Sequence, residues 1–175
     1  SGRVASGMAY DRYARWKGEC SMSSTTRRLV IVVMAMALVV ALPGVAAGTG
    51  EQPGTGTPGY YHKIDHWPAH KVDNGITVGG VHYSANQAID WITMPVKGDK
   101  TLTMFPALVA AIINMGIGNN FGCVLDTISQ ANDWMYAHPP GSGVKANSDA
   151  WDVGEPLYWT LDAYNNGHLC APSRG

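Results

Sequence analysis

The sequence predicts a mainly α-helical fold, a small domain of about four helices with one short β-hairpin, stapled by one disulfide. Three observations carry this. Apolar residues recur at helical spacing in four stretches bounded by caps and breakers. Ile76 to Tyr83 (ITVGGVHY) alternates apolar and polar residues around paired glycines. Two cysteines, Cys123 and Cys170, follow an apolar N-terminal run of export type.

Taken in order, the elements begin with that hairpin, where Gly79-Gly80 supplies the positive φ angles a two-residue turn needs. A hairpin of this size is marginal alone and must pack on something. Ser84 is suited to cap a helix over Ala85 to Met94, with Ala85, Ala88, Ile89 and Ile92 on one face and Pro95 after the stop. A second helix is expected over about Thr103 to Met115, burying Leu108, Val109, Ile112 and Ile113, with Pro106 tolerated only in the first turn. Gly116 to Gly122 (GIGNNFG) ends it. The third runs from about Cys123 to Ala137 and stops at His138-Pro139-Pro140-Gly141. The last starts at Ser148, is interrupted around Gly154-Glu155-Pro156, and resumes through Leu157, Tyr158, Leu161 and Tyr164 to Asn165-Asn166-Gly167.

Upstream of the domain, Met22 to Ala47 reads as a signal peptide. Arg27 and Arg28 open it, Leu29 to Leu42 form its apolar core, and Val45-Ala46-Ala47 offers the small residues a signal peptidase reads. Its 14 apolar residues fall short of the roughly 20 that span a bilayer, so a membrane role is expected only through the uncleaved signal. Residues 1–21 precede it and are not expected in the mature protein. Residues 48–59 (GTGEQPGTGTPG) read as a flexible linker by composition, and 60–175 as the single folded domain. The expected location is secreted or extracellular.

From Gly48 onward, six basic residues face eleven acidic ones, a formal net charge of −5. With no basic cluster, nucleic acid is excluded as an expected partner, because phosphate neutralisation has no residues to work with. One disulfide is the simplest use of two cysteines in an exported chain, and no CxxC spacing supports a two-cysteine zinc site. Closing that span stabilises a chain of this kind by roughly 4 kcal/mol in chain-entropy terms.

The single cluster with metal-ligand character is His62, His66 and His70, four residues apart, with Asp65 among them. On a continuous helix this spacing would place three imidazoles on one face for zinc or another divalent metal. Pro68 interrupts any such helix, and the Glu of HExxH that would act as general base is missing. Surface or capping histidines are therefore the simpler expectation, with no cofactor. GIGNNFG lacks the Lys-Ser/Thr of a P-loop, and no G-x-S-x-G elbow occurs. Asp149, Asp152, Asp162 and Asn165 do not match an EF-hand loop. Five tryptophans and six tyrosines after Gly48 make an aromatic-rich domain, most of whose rings are expected in the core while some offer a carbohydrate-binding face.

Gly59-Tyr60-Tyr61-His62-Lys63 with Trp67-Pro68, then Val78-Gly79-Gly80-Val81, Asn132-x-Trp134, His138-Pro139-x-Gly141-Ser142-Gly143 and Leu161-Asp162-x-Tyr164-Asn165-Asn166-Gly167 stand in the order of a known pattern. Gly59 to Pro172 resembles an uncharacterised domain of exported bacterial proteins that opens with a G-Y-W-K-N-H-like motif. The resemblance implies an exported, extracellular or cell-surface module and brings no established reaction or catalytic residues to carry over. The expected function is a secreted, non-catalytic binding or structural module, carbohydrate- or cell-surface-directed, with Tyr60, Tyr61 and Trp67 as candidate ligand-binding residues. The alternative is a secreted metal-dependent hydrolase built on His62, His66, His70 and Asp65.

Overall fold

The structure is a computed structural model and describes residues 51–174. Residues 1–21, the signal-peptide reading over 22–47 and the start of the linker lie outside the described residues. Those described form one compact unit of five α-helices and a two-stranded antiparallel hairpin. In chain order these are α1 (Ala69–Asn74), β1 (Ile76–Val78), β2 (Val81–Tyr83), α2 (Ala85–Thr93), α3 (Thr101–Gly116), α4 (Leu125–Ala137) and α5 (Asp149–Asn165). The mainly helical fold, the hairpin and the Cys123–Cys170 bond are as the sequence predicts.

Helix α3 is the centre because it is apolar on every side. Met104, Phe105, Leu108, Val109 and Ile113 are all fully buried, and each such side chain contributes roughly 1.5–3 kcal/mol of transfer free energy. Helices α2, α4 and α5 and strand β1 pack around it. Its N-terminus is held by Asp99, whose Oδ1 accepts from the Thr101 amide at 3.0 Å and the Thr101 hydroxyl at 2.8 Å. The other carboxylate oxygen accepts from the Gly143 amide at 2.9 Å, tying the loop after α4 to the start of α3.

The hairpin pairs Ile76 with Tyr83 and Val78 with Val81, so Ile76 and Val78 enter the core while Thr77 points out. Gly79 and Gly80 have φ of 57° and 75°, the positive values its two-residue turn requires. Its tip leans on α4: the Gly79 amide donates to Asn132 Oδ1 at 2.9 Å, and a Cβ on Gly79 would sit 2.7 Å from the Met135 carbonyl carbon. Ser84 and Gln87 form a reciprocal capping box on α2, and Ser148 caps α5. Helix α5 ends in a Schellman motif, Gly167 N donating to Tyr164 O and His168 N to Ala163 O.

Three expectations are corrected. Helix α5 is continuous through Gly154-Glu155-Pro156. Pro156 takes away the amide partner of the Asp152 carbonyl, but both residues are exposed, so water can serve that carbonyl. Pro106 lies in the second turn of α3, one turn deeper than expected; burial of Phe105, Ala107 and Leu108 around it outweighs the roughly 3 kcal/mol a helical proline costs. The described part of the expected linker is packed. Gly54, Thr55 and Gly56 are buried, and Thr55 bridges Ser173 in parallel, donating its amide to Pro172 O at 2.8 Å and accepting from Arg174 N at 2.9 Å. The glycines that suggest flexibility serve close approach. A Cβ on Gly54 would meet Arg174 Cα at 2.7 Å, and one on Gly56 the Tyr60 and Tyr61 rings at 2.8 Å.

Gly154 is a close-approach position of the same kind, since an added Cβ would lie 2.8 Å from Trp134 Cε2. Helix propensity favours alanine there by about 1 kcal/mol, whereas forcing a rigid, 6% exposed indole aside costs about 1–3 kcal/mol. Gly154→Ala should therefore lower the denaturant midpoint despite improving the local propensity. A raised midpoint would show that Trp134 has room to move.

Candidate functional site

The segment expected to hold both the ligand-binding and the metal-binding residues runs from Tyr60 to His70, and its irregular course follows from Pro68. A single 3₁₀ turn over Ile64–His66 ends at Trp67, and Pro68 then caps α1. His62 and His66 therefore lie outside the helix that carries His70, and the four-residue spacing loses its common face. His62 Nδ1 bonds the Gly59 carbonyl, and His66 Nδ1 lies 2.6 Å from the Tyr60 carbonyl. His70 and Asp65 are exposed. Among the described residues no group of three or more His, Cys, Asp or Glu could hold a metal ion. The expected His62, His66, His70 and Asp65 constellation is not assembled.

Of the candidate ligand-binding aromatics, two are interior. Trp67 is 5% exposed and donates its indole N–H to the Tyr61 carbonyl at 2.7 Å. Tyr61 is fully buried and donates its hydroxyl to Asn114 Oδ1 at 2.8 Å. Tyr60 is half-buried between His66, stacked at 4.0 Å, and the Arg174 guanidinium, which lies 5.1 Å from the ring centroid and donates to the Tyr60 hydroxyl at 2.8 Å. Tyr60, Tyr61 and Trp67 thus lock the N-terminal segment to the tail and the core.

That lock centres on Asn114 of α3. Its Oδ1 accepts from the Gly56 amide at 2.8 Å as well as from Tyr61, while its Nδ2 donates to the Gly56 carbonyl at 2.8 Å and to Asn165 Oδ1 at 2.9 Å. Asn165 is fully buried, its Oδ1 taken by Asn114 and its Nδ2 donating to the Ala107 carbonyl at 2.9 Å, so it is not available as an oxygen ligand beside Asp149, Asp152 and Asp162. Asn119 extends the set, donating to the Gly54 and Asn114 carbonyls. The GIGNNFG loop is an interhelical connection whose asparagine grips the N-terminal segment. Cys123, just beyond it, is bonded to Cys170 and fixes the tail on the same side.

The remaining tryptophans divide sharply. Trp134 and Trp151 are buried edge to face at 6.0 Å, with Lys100 Nζ 5.0 Å from the Trp151 ring. Trp91 is half-buried against Phe105 and the Gly141 backbone. Trp159 is 58% exposed on the outer face of α5 and tilts at 59° to the half-buried Tyr158, 5.0 Å away. Asp152, Glu155 and Asp162 stand seven, four and three positions from it, on neighbouring turns of the same outer face. The helix carries no basic residue. Among the described residues, Tyr136, 74% exposed over Gly80, is the other largely exposed aromatic. Neither is among the sequence-predicted site residues. Helical periodicity through Pro156 would have placed Trp159 opposite Gly154 and Leu161, and so outward.

No family model, no curated protein and no solved structure matches the chain. Among the described residues no helix is long and apolar enough to cross a membrane.

Burial pushes the Tyr61 hydroxyl up to about 12, Arg174 opposing it, and burial likewise pushes Tyr164 to about 12. An unfolded tyrosine ionises near 10. The folded state thus holds protons that the unfolded state releases, and stability present below pH 10 is lost as pH rises from 10 towards 12. Melting temperature should fall across that window, and Tyr61→Phe should flatten the fall. A melt independent of pH there would contradict the burial of these hydroxyls.

Proposed function

We propose that this chain is a secreted, non-catalytic binding or structural module whose outer face engages an extracellular glycan or surface polymer. The observation that carries the reading is Trp159. Of the five tryptophans after Gly48, it alone is largely exposed, while Trp67, Trp134 and Trp151 are interior and Trp91 is half-buried. A flat exposed indole suits the apolar C–H face of a sugar ring, and carboxylates one or two turns away on the same helix face can accept from sugar hydroxyls. Tyr158 supplies a second, tilted surface.

Export is supported by the Arg27-Arg28, Leu29 to Leu42 and Val45-Ala46-Ala47 sequence and by a disulfide that an oxidising compartment sustains. The resemblance of Gly59 to Pro172 to an exported bacterial domain agrees with both parts. No observation singles out a reaction.

A glycan array probed with the full chain tests the reading. Retention on at least one polysaccharide is expected, with Trp159→Ala weakening it by roughly tenfold, about 1.4 kcal/mol. Tyr136→Ala should leave binding unchanged. Retention on no glycan, or binding indifferent to Trp159, would sink the proposal.

A further inference from the structure

We propose that the Cys123–Cys170 disulfide is a thiol-exchange site, at which the thiolate of a low-molecular-weight thiol bonds to Cys170 Sγ, displaces Cys123 and unlatches both ends of the described chain. Access is the first condition. Cys123 is exposed and Cys170 half-buried, so the bond lies at the surface, where an attacking thiol can reach it, unlike a disulfide enclosed in a core.

The two sulfurs are not equivalent. The Cys170 amide donates to Cys123 Sγ at 3.3 Å, so a departing Cys123 thiolate has a donor already in place. Cys170 Sγ instead lies 3.3 Å from the Asn120 carbonyl oxygen, whose lone pairs would oppose a thiolate there. Exchange is faster when the leaving sulfur carries negative charge more readily, which directs attack to Cys170. The new S–S bond joins Cys170 to the incoming sulfur, which is oxidised. The Cys123–Cys170 bond breaks, and its electron pair leaves with Cys123, which is reduced and takes a proton from water.

The contacts define what is released. Beyond Cys170, Ala171 is buried, Pro172 O accepts from the Thr55 amide at 2.8 Å, the Arg174 amide donates to Thr55 O at 2.9 Å, and the Arg174 guanidinium holds the Tyr60 hydroxyl. Pro172 and Ser173 are exposed, and among the described residues no helix lies beyond Asn165. A tail held by so few contacts opens with its Thr55 partner as a local unit once the covalent tie is gone, and leaves the helices in place.

The test starts from the oxidised full chain with its free thiols blocked by iodoacetamide. Glutathione is added under native conditions, the reaction is quenched with N-ethylmaleimide, and the products are mapped by mass spectrometry. The first-formed adduct should carry glutathione on Cys170 and N-ethylmaleimide on Cys123, and form roughly tenfold or more faster than global unfolding, read from hydrogen exchange of the α3 amides. Once the bond is opened, the Thr55 and Arg174 amides should lose protection while those of α3 and α4 keep theirs. Cys123→Ser with Cys170→Ser should show the same pattern without thiol. Exchange no faster than global unfolding, or a first-formed adduct on Cys123, would overturn the proposal. So would undiminished protection at Thr55 and Arg174 in the opened protein, or its loss from α3 and α4 as well.

Discussion

The side-chain amide of Asn114 is the constraint on which the rest of the structure depends. It lies fully buried in a central helix that is apolar from Met104 to Ile113, where an amide without partners costs about 1–3 kcal/mol. All of its bonding capacity is used: Gly56 N–H and Tyr61 O–H on the oxygen, Gly56 C=O and Asn165 on the nitrogen. These partners come from the N-terminal segment and from the end of α5. An apolar residue at this point of α3 would bury as well, but would specify neither neighbour.

Two consequences spread outward. The N-terminal segment, placed by Gly56, pairs with the tail through Thr55 and Ser173, and the tail is also bound to Cys123 through Cys170. Both ends of the described chain are thus fixed to the α3–α4 connection. The second consequence runs along α5, whose rotation is set at one end by Asn165 and near the other by Gly154 beneath the Trp134 ring. With those two positions inward, the 3.6-residue period leaves Trp159, Asp152 and Glu155 outward. The buried amide and the exposed indole are two ends of one geometric condition.

Much of this was legible in the sequence. Ser84, Ser148, Gly79-Gly80 and Gly167 each announced a cap or turn that the backbone adopts, because those residues answer local needs. The pairing of Cys123 with Cys170 followed from count and context. What stayed hidden depends on neighbours distant in sequence. Gly54 and Gly56 look like linker glycines, since composition does not distinguish a glycine kept for flexibility from one kept because Arg174 or Tyr61 presses against it. Gly154 and Pro156 look like a break for the same reason, and that reading concealed the register joining Asp152 and Glu155 to Trp159. Tyr61 and Trp67 look like surface aromatics beside a polar motif, whereas Tyr61 is drawn in by Asn114 and Trp67 by the Tyr61 carbonyl.

One buried amide positions both the N-terminal segment and α5. Amide hydrogen exchange on Asn114→Ala, read beside denaturant unfolding, addresses it most directly. A stability loss of about 3 kcal/mol or more is expected, from several groups left unpaired at once. Protection should fall first at Gly56, Tyr61 and Arg174, while the amides of α3 and α4 exchange only with global unfolding. A loss within about 1 kcal/mol, with protection at Gly56 and Arg174 intact, would contradict it and move the organising role to the apolar contacts of α3 alone.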